Sequence, residues 1–195
     1  MSWFLKDFNY TNEAFAYGVD CFTDKEIKEI EDFASKSIRK GAGLVENDGN
    51  TSGIRECYVA WIEPNNETGN LFNKMAELLL ELNNKFFRYD LVELEDLQYT
   101  EYSENTNGFY TAHSDDGYKF NLFRKLSISV QLSDPSEYEG GDLIFYRTGL
   151  RTPQIAPKEK GTIIVFPSYV IHEVTPVTKG LRKSLVSWAQ GPRFR

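Results

Sequence analysis

Apolar residues recur along this chain with two different periods, and the change from one to the other divides it. Ile27, Ile30, Phe33 and Ala34 stand three and four residues apart behind the capping-box tetrad Thr23-Asp24-Lys25-Glu26, which predicts a helix over about 24–37. Leu71, Phe72, Met75, Leu78, Leu79 and Leu82 repeat that spacing in a longer helix opened by Gly69-Asn70, and their stripe reads as core. Between the two, Gly41-Ala42-Gly43 through Gly49-Asn50-Thr51-Ser52-Gly53 is polar and glycine-rich, which predicts a mobile loop over 41–53 of a length often put to functional use. Ile54 to Ile62, with Cys57, Tyr58, Val59 and Trp61, has the content of a strand and stops at Pro64-Asn65-Asn66.

From Leu97 onward the period shortens to two. Strands are predicted near 97–102, 109–113, 126–132, 142–147, 161–166, 170–174 and 183–190, separated by Asn107-Gly108, Asp134-Pro135, Gly140-Gly141 and Gly191-Pro192. Two helices followed by many short strands predict a mainly β fold, two sheets face to face with supporting helices. The 195 residues fit one domain, 1–195, with a helical and loop part over 1–96 and a β-core over 97–195. An aromatic share of 14% suits pleated surfaces that pack large flat side chains.

Composition narrows the setting. No apolar run is long enough to cross a bilayer, and the opening Met1-Ser2-Trp3-Phe4-Leu5-Lys6-Asp7 meets charge too soon for a signal peptide. Cys21 and Cys57 are too few for a disulfide framework, so a cytoplasmic protein with no membrane partner is expected. The net charge of -7 argues against a nucleic-acid partner. Nothing in the pattern specifies an oligomeric state.

The chain has two histidines, and both stand in suggestive company. His113 and Asp115, two apart in Phe109-Tyr110-Thr111-Ala112-His113-Ser114-Asp115-Asp116, point the same way if that segment is extended, whereas Asp116 points the other way. His172 follows Phe166-Pro167-Ser168-Tyr169-Val170-Ile171, and Arg182 lies ten residues beyond it. Singly, each histidine reads as a hydrogen-bonded core residue, since an HxD pair is common by chance. Two histidines with one carboxylate also leave three positions of an octahedral iron open, and Arg182 is chemically suited to grip a carboxylate through its planar fork.

His113-x-Asp115, His172 and Arg182 in this order resemble the Fe(II)/2-oxoglutarate-dependent oxygenase superfamily, in its prolyl-hydroxylase-like branch. The likeness covers roughly 50–190: Tyr102 and Tyr110 lead into the HxD segment, Glu139-Gly140-Gly141-Asp142 forms an acidic glycine turn, and Trp188 sits six residues after Arg182. Arg55-Glu56-Cys57-Tyr58-Val59-Ala60-Trp61-Ile62 is similar to the strand after the finger loop that covers the substrate in that branch. The glycines of the acidic turn are assigned to backbone geometry alone.

The resemblance implies a double-stranded β-helix, a jelly-roll-type core with helices packed on one sheet. It implies Fe(II) held by His113, Asp115 and His172. It also implies 2-oxoglutarate chelating the iron, with its distal carboxylate on Arg182 and further contacts from Tyr102 and from Gln131 or its neighbour Ser129. O2 is the second cosubstrate, L-ascorbate a candidate reductant, and Arg55, Tyr110 and Trp188 are candidate substrate contacts. The implied reaction is hydroxylation of a prolyl residue in a protein or peptide, with release of succinate and CO2. A mobile loop at 41–53, able to wrap a polypeptide, favours that over a free amino acid or other small metabolite. A nucleic-acid demethylase is opposed by the acidic balance and by Trp188 where that branch carries a second arginine. A non-catalytic, cupin-like zinc sensor is the alternative from another class, and it has no use for Arg182.

Overall fold

The Thr23 side chain accepts from the Glu26 backbone N–H while the Glu26 carboxylate accepts from the Thr23 N–H, so the predicted capping box starts the first helix. The structure is a computed structural model that describes residues 14–37, 40–41, 53–119, 122–146 and 152–192. Apart from Gly41 and Gly53, the loop predicted over 41–53 lies outside them. In chain order the elements are β1 (Ala16–Gly18), α1 (Asp24–Lys36), β2 (Lys40–Gly41), β3 (Arg55–Glu56), β4 (Tyr58–Ile62) and α2 (Gly69–Leu82). A π-helical turn, Asn83–Phe87, extends α2 and is followed by β5 (Glu93–Leu94), β6 (Leu97–Ser103), β7 (Phe109–His113), β8 (Tyr118–Lys119) and β9 (Leu122–Gln131). Then come β10 (Tyr138–Gly140), β11 (Leu143–Tyr146), β12 (Gln154–Ile155), β13 (Ile163–Pro167), β14 (Ile171–Val174) and β15 (Val177–Gly191).

These strands form two sheets. The major sheet runs β1-β13-β9-β15-β6-β4-β2, with β5 and β10 attached to β15 and β8 to β9. The minor sheet runs β12-β11-β14-β7-β3, and its pairings are antiparallel like those of the major sheet. Side chains of the long strands of the major sheet alternate between its two faces, with one register irregularity at Ala189/Gln190. In β9, Leu126, Ile128 and Val130 join the apolar core shared with Ile27, Ile30, Met75 and Leu79 of the helices. Ser127 and Ser129 occupy the other face. In β15, Leu185 and Ala189 pack toward the helices, while Arg182, Ser184, Trp188 and Gln190 line a cavity. A second core, with Cys57, Phe145, Ile164, Phe166 and Val174, fills the space between the sheets. The helices therefore back one sheet, and the inter-sheet space is apolar at depth and polar where the cavity opens, as a jelly-roll-type core requires.

One predicted element is corrected. The strand expected over 54–62 breaks at Cys57: β3 pairs with β7 in the minor sheet, and β4 with β6 in the major one. Buried Cys57 sits at the crossing, where the chain turns the corner between sheets. Several strands of two or three residues, such as β1, β5 and β12, were too short to show a period.

Candidate active site

His113 closes β7 and His172 is the second residue of β14, and antiparallel register sets the two directly opposite each other. Their ring centroids are 4.3 Å apart. Each Nδ1 faces a backbone carbonyl, that of Thr111 at 2.8 Å for His113 and that of Val170 at 2.9 Å for His172. A carbonyl only accepts, so Nδ1 carries the proton in both rings and Nε2 presents its lone pair.

Both Nε2 atoms converge on Asp115, His113 on Oδ1 and His172 on Oδ2, each at 3.5 Å. The ligand atoms of the three residues all lie within 4.8 Å of one another. Here the reasoning from strand alternation needs correction, because β7 ends at His113 and Asp115 lies in the loop after it. The position of Asp115 is set instead by its N–H, which donates to the Ser168 carbonyl at 2.8 Å, and by the Ser127 hydroxyl, which donates to Oδ2 at 2.7 Å. Asp116 is exposed and accepts from the Ser114 hydroxyl.

Electrostatics suit a metal centre. Burial alone would raise the Asp115 carboxyl, but the two imidazoles that converge on it and the Ser127 hydroxyl together hold it well below the usual carboxylate range. Burial lowers the His172 imidazole from its ordinary value against the pull of Asp115. One anionic and one neutral ligand are thus secured near pH 7, and two-His, one-carboxylate donors fit Fe(II) with open positions.

The triad opens into a cavity of about 900 Å³ whose lining includes Arg182, Tyr102, Ser129, Arg55, Tyr110 and Trp188. Arg182 is 1% exposed. Its Nη2 donates to Gln131 Oε1 at 3.0 Å, and its guanidinium lies 5.4 Å from the Tyr102 ring centroid, but Nε and Nη1 are buried without any partner. Unpaired N–H groups on a buried cation call for an anionic acceptor, and a carboxylate supplies one. Burial also pushes the Tyr102 phenol up, so it remains an O–H donor. Gln131 is itself buried, with its amide nitrogen donating to the Pro157 carbonyl at 3.0 Å, and it is Ser129 that faces the cavity.

Sequence reasoning missed several participants. Ser127 and Ser168 hold Asp115, and Gly141, whose φ of +60° suits glycine, lies so near Arg182 that a Cβ there would stand 2.8 Å from Arg182 Cδ. Arg124 stacks 3.8 Å from the Trp188 ring centroid and is clamped by Glu95, with Nε and Nη2 each 2.7 Å from a carboxylate oxygen. Arg124 and Glu95 stand in β9 and just before β6, twenty-nine positions apart, and only the register of β15 with both strands brings them together.

Residues 97–190 match the family model of the 2OG-Fe(II) oxygenase superfamily. A PKHD-type hydroxylase of Idiomarina loihiensis is 34% identical over 92 residues, covering 45% of this chain and 41% of that protein. Over residues 97–190 the chain is similar to the 2OG-Fe(II) oxygenase superfamily. Members take Fe(II), 2-oxoglutarate and O2. A PKHD-type hydroxylase of Prochlorococcus marinus is 39% identical over 93 residues, 46% of this chain and 40% of that one, so the match spans about two fifths of these relatives. Among solved structures, a Pseudomonas putida prolyl-4-hydroxylase superposes on this fold with a TM-score of 0.72 at 20% identity, over 92% of this chain and 94% of that one. A prolyl hydroxylase from Trichoplax adhaerens, in complex with a peptide fragment of the hypoxia inducible factor oxygen degradation domain, gives 0.72 at 16% identity, over 91% and 84%. The double-stranded β-helix expected from the sequence is therefore the fold found.

Proposed function

We propose that the chain is an Fe(II)- and 2-oxoglutarate-dependent dioxygenase that hydroxylates a prolyl residue in a protein or peptide and releases succinate and CO2. The observation that carries this reading is the pair of orphaned N–H groups on buried Arg182, facing the cavity that also holds the His113-Asp115-His172 triad. A zinc sensor has no need of the first, and a carboxylate cosubstrate requires it.

In this reading His113, Asp115 and His172 hold the iron through Nε2, a carboxylate oxygen and Nε2, and Arg182 takes the distal carboxylate of 2-oxoglutarate through its guanidinium N–H groups. Gln131 holds Nη2 and so fixes the plane of the fork, Tyr102 covers one face of the guanidinium, and Ser129 offers a hydroxyl beside it. When bound, iron and 2-oxoglutarate together supply the oxidising power for inserting one oxygen atom of O2 into a C–H bond. Apolar Phe166, Val174 and Leu143 line the inner wall and limit water there. Trp188, whose buried Nε1–H has no partner, Tyr110 and Arg55 face the substrate side.

A peptide substrate is favoured by the sequence kinship to PKHD-type hydroxylases and by the peptide in the Trichoplax adhaerens neighbour. L-ascorbate is the expected reductant of iron that oxidises off cycle, and the two free thiols suit a cytoplasmic setting. Incubating the protein with Fe(II), 2-oxoglutarate, O2 and proline-containing peptides, then measuring succinate and peptide mass, tests the reading. An oxygen-atom gain on proline that matches succinate release is expected. Succinate release with gain only on free amino acids would redirect the substrate to a small metabolite, and no succinate under any condition would remove the oxygenase.

A further inference from the structure

Two guanidinium groups, not one, are buried in the wall of this cavity. Arg182 is the first, and Arg55, at 8% exposed, is the second. A buried cation is costly unless an anion faces it, so each charge in the cavity can be asked for its counter-charge. Arg124 is matched by its two-pronged pairing with Glu95. Asp116 is solvated. Given the function proposed above, on which this inference rests, Asp115 and one carboxylate of 2-oxoglutarate balance Fe(II), and the other carboxylate balances Arg182.

Arg55 is left over. Its Nε donates to Cys57 Sγ at 2.9 Å, its Nη2 to Gln98 Oε1 at 2.8 Å, and the group lies 4.7 Å from the Tyr110 ring centroid. The partners are a thiol, an amide and an aromatic ring, burial keeping the Cys57 thiol protonated. Among the described residues no carboxylate pairs with Arg55. Tyr110 in turn stacks on the His113 imidazole, 3.6 Å between centroids at 18°, so Arg55 stands two stacked layers from a ligand of the triad. That separation is at most roughly two residues of extended peptide.

We infer that Arg55 is a specificity-determining residue that binds a carboxylate of the substrate, next to the position where the C–H bond is placed for oxidation. The carboxylate belongs either to an acidic residue flanking the prolyl residue or to a free α-carboxyl end. The chain's net charge of -7 disfavours acidic ligands at long range, so the preference arises at the contact and resists salt, as a buried pair does.

The test is calorimetry on the protein loaded with Mn(II) and 2-oxoglutarate without oxygen, using matched pairs of small ligands. The pairs are acetyl-Asp-Pro-amide against acetyl-Asn-Pro-amide, acetyl-Pro-Asp-amide against acetyl-Pro-Asn-amide, acetyl-proline against its amide, and free L-proline against L-prolinamide. At least one acid should bind about tenfold or more tightly than its neutral partner, the scale of a charge-assisted hydrogen bond, and the pair that shows it identifies the source. Arg55→Gln, with circular dichroism and 2-oxoglutarate affinity unchanged, should lose the difference, and Arg55→Lys should keep part of it. Acids and amides that bind alike to wild-type protein overturn the inference without any variant, as does a preference that survives Arg55→Gln. Normal 2-oxoglutarate binding with no acid preference overturns this inference alone, whereas wild-type protein that fails to bind 2-oxoglutarate overturns the proposed function and this inference together.

Discussion

Arg182, Gly141 and Ser127 show how much of the site depends on residues that touch no reacting atom. If Arg182 grips 2-oxoglutarate, Arg182→Ala removes a charge-assisted contact of about 1.5–3 kcal/mol, so cosubstrate affinity should fall about ten- to more than a hundredfold while metal affinity holds. Gly141→Ala should reproduce a milder form of that loss, because the added methyl needs the space of Arg182 Cδ and φ there is +60°. Titrating 2-oxoglutarate into each anaerobic Fe(II) protein measures both, and unchanged affinity in folded Arg182→Ala would move the clamp elsewhere. Ser127→Ala deprives the Asp115 carboxylate of its hydroxyl donor, and metal affinity by competition with a chelator should drop about ten- to a hundredfold. That His113, Asp115 and His172 group together and that Arg182 lines the same cavity was expected from the family resemblance rather than from any one residue. Ser127 was not, because in the sequence it is one more polar position of an alternating strand, and its partner Asp115 is selected only by the fold.

At the scale of elements, α1 offers a test that is independent of the metal. The Glu26 carboxylate accepts from Lys74 Nζ of α2 at 2.5 Å and from both the N–H and the hydroxyl of Thr23. The Lys74 bond, followed by those from Thr23, holds its pKa down at about 2 from an ordinary 4.5. The folded value lies below the unfolded one, so this contribution to stability is complete above about pH 4.5 and is lost as pH falls toward 2. Wild-type protein should therefore melt higher than Glu26→Gln at pH 6, with the gap closing between pH 4.5 and 2; a gap constant with pH would mean that Glu26 contributes by shape rather than charge. Thr23→Ala should cost about 1 kcal/mol at pH 6 through loss of the cap, and less toward pH 2, where its hydroxyl no longer faces a charged Glu26 carboxylate. The cap was readable as a local tetrad. Its tie to Lys74 was not, since the two residues are forty-eight positions apart, and neither was the break at Cys57, because β3 and β4 carry one continuous β-like composition into two sheets.

Across the whole molecule, the cavity between the two sheets is lined by polar and charged groups of both, so what it holds can join them. His113 and His172 belong to the minor sheet, whereas Asp115 is tied by Ser127 to β9 of the major sheet, and Arg182 stands on β15 of that same sheet. A metal ion shared by the triad thus links the sheets, and a dicarboxylate spanning from the metal to Arg182 links them a second time. Ligands that bind only the folded state stabilise it by about 2.7 kcal/mol at a hundredfold excess over Kd. For a domain of this size each kcal/mol raises Tm by about 2–4 °C. Mn(II) at that excess should accordingly raise Tm by roughly 5–11 °C, and 2-oxoglutarate added on top should raise it again by a similar step. The second step should depend on the first, because without metal the cosubstrate keeps only its Arg182 end. In Arg182→Ala the metal step should persist and the 2-oxoglutarate step shrink, while in His172→Ala both should vanish. A wild-type melting curve indifferent to Mn(II) would refute the metal centre itself, and a full 2-oxoglutarate step in metal-free protein would show that the cosubstrate binds without the triad.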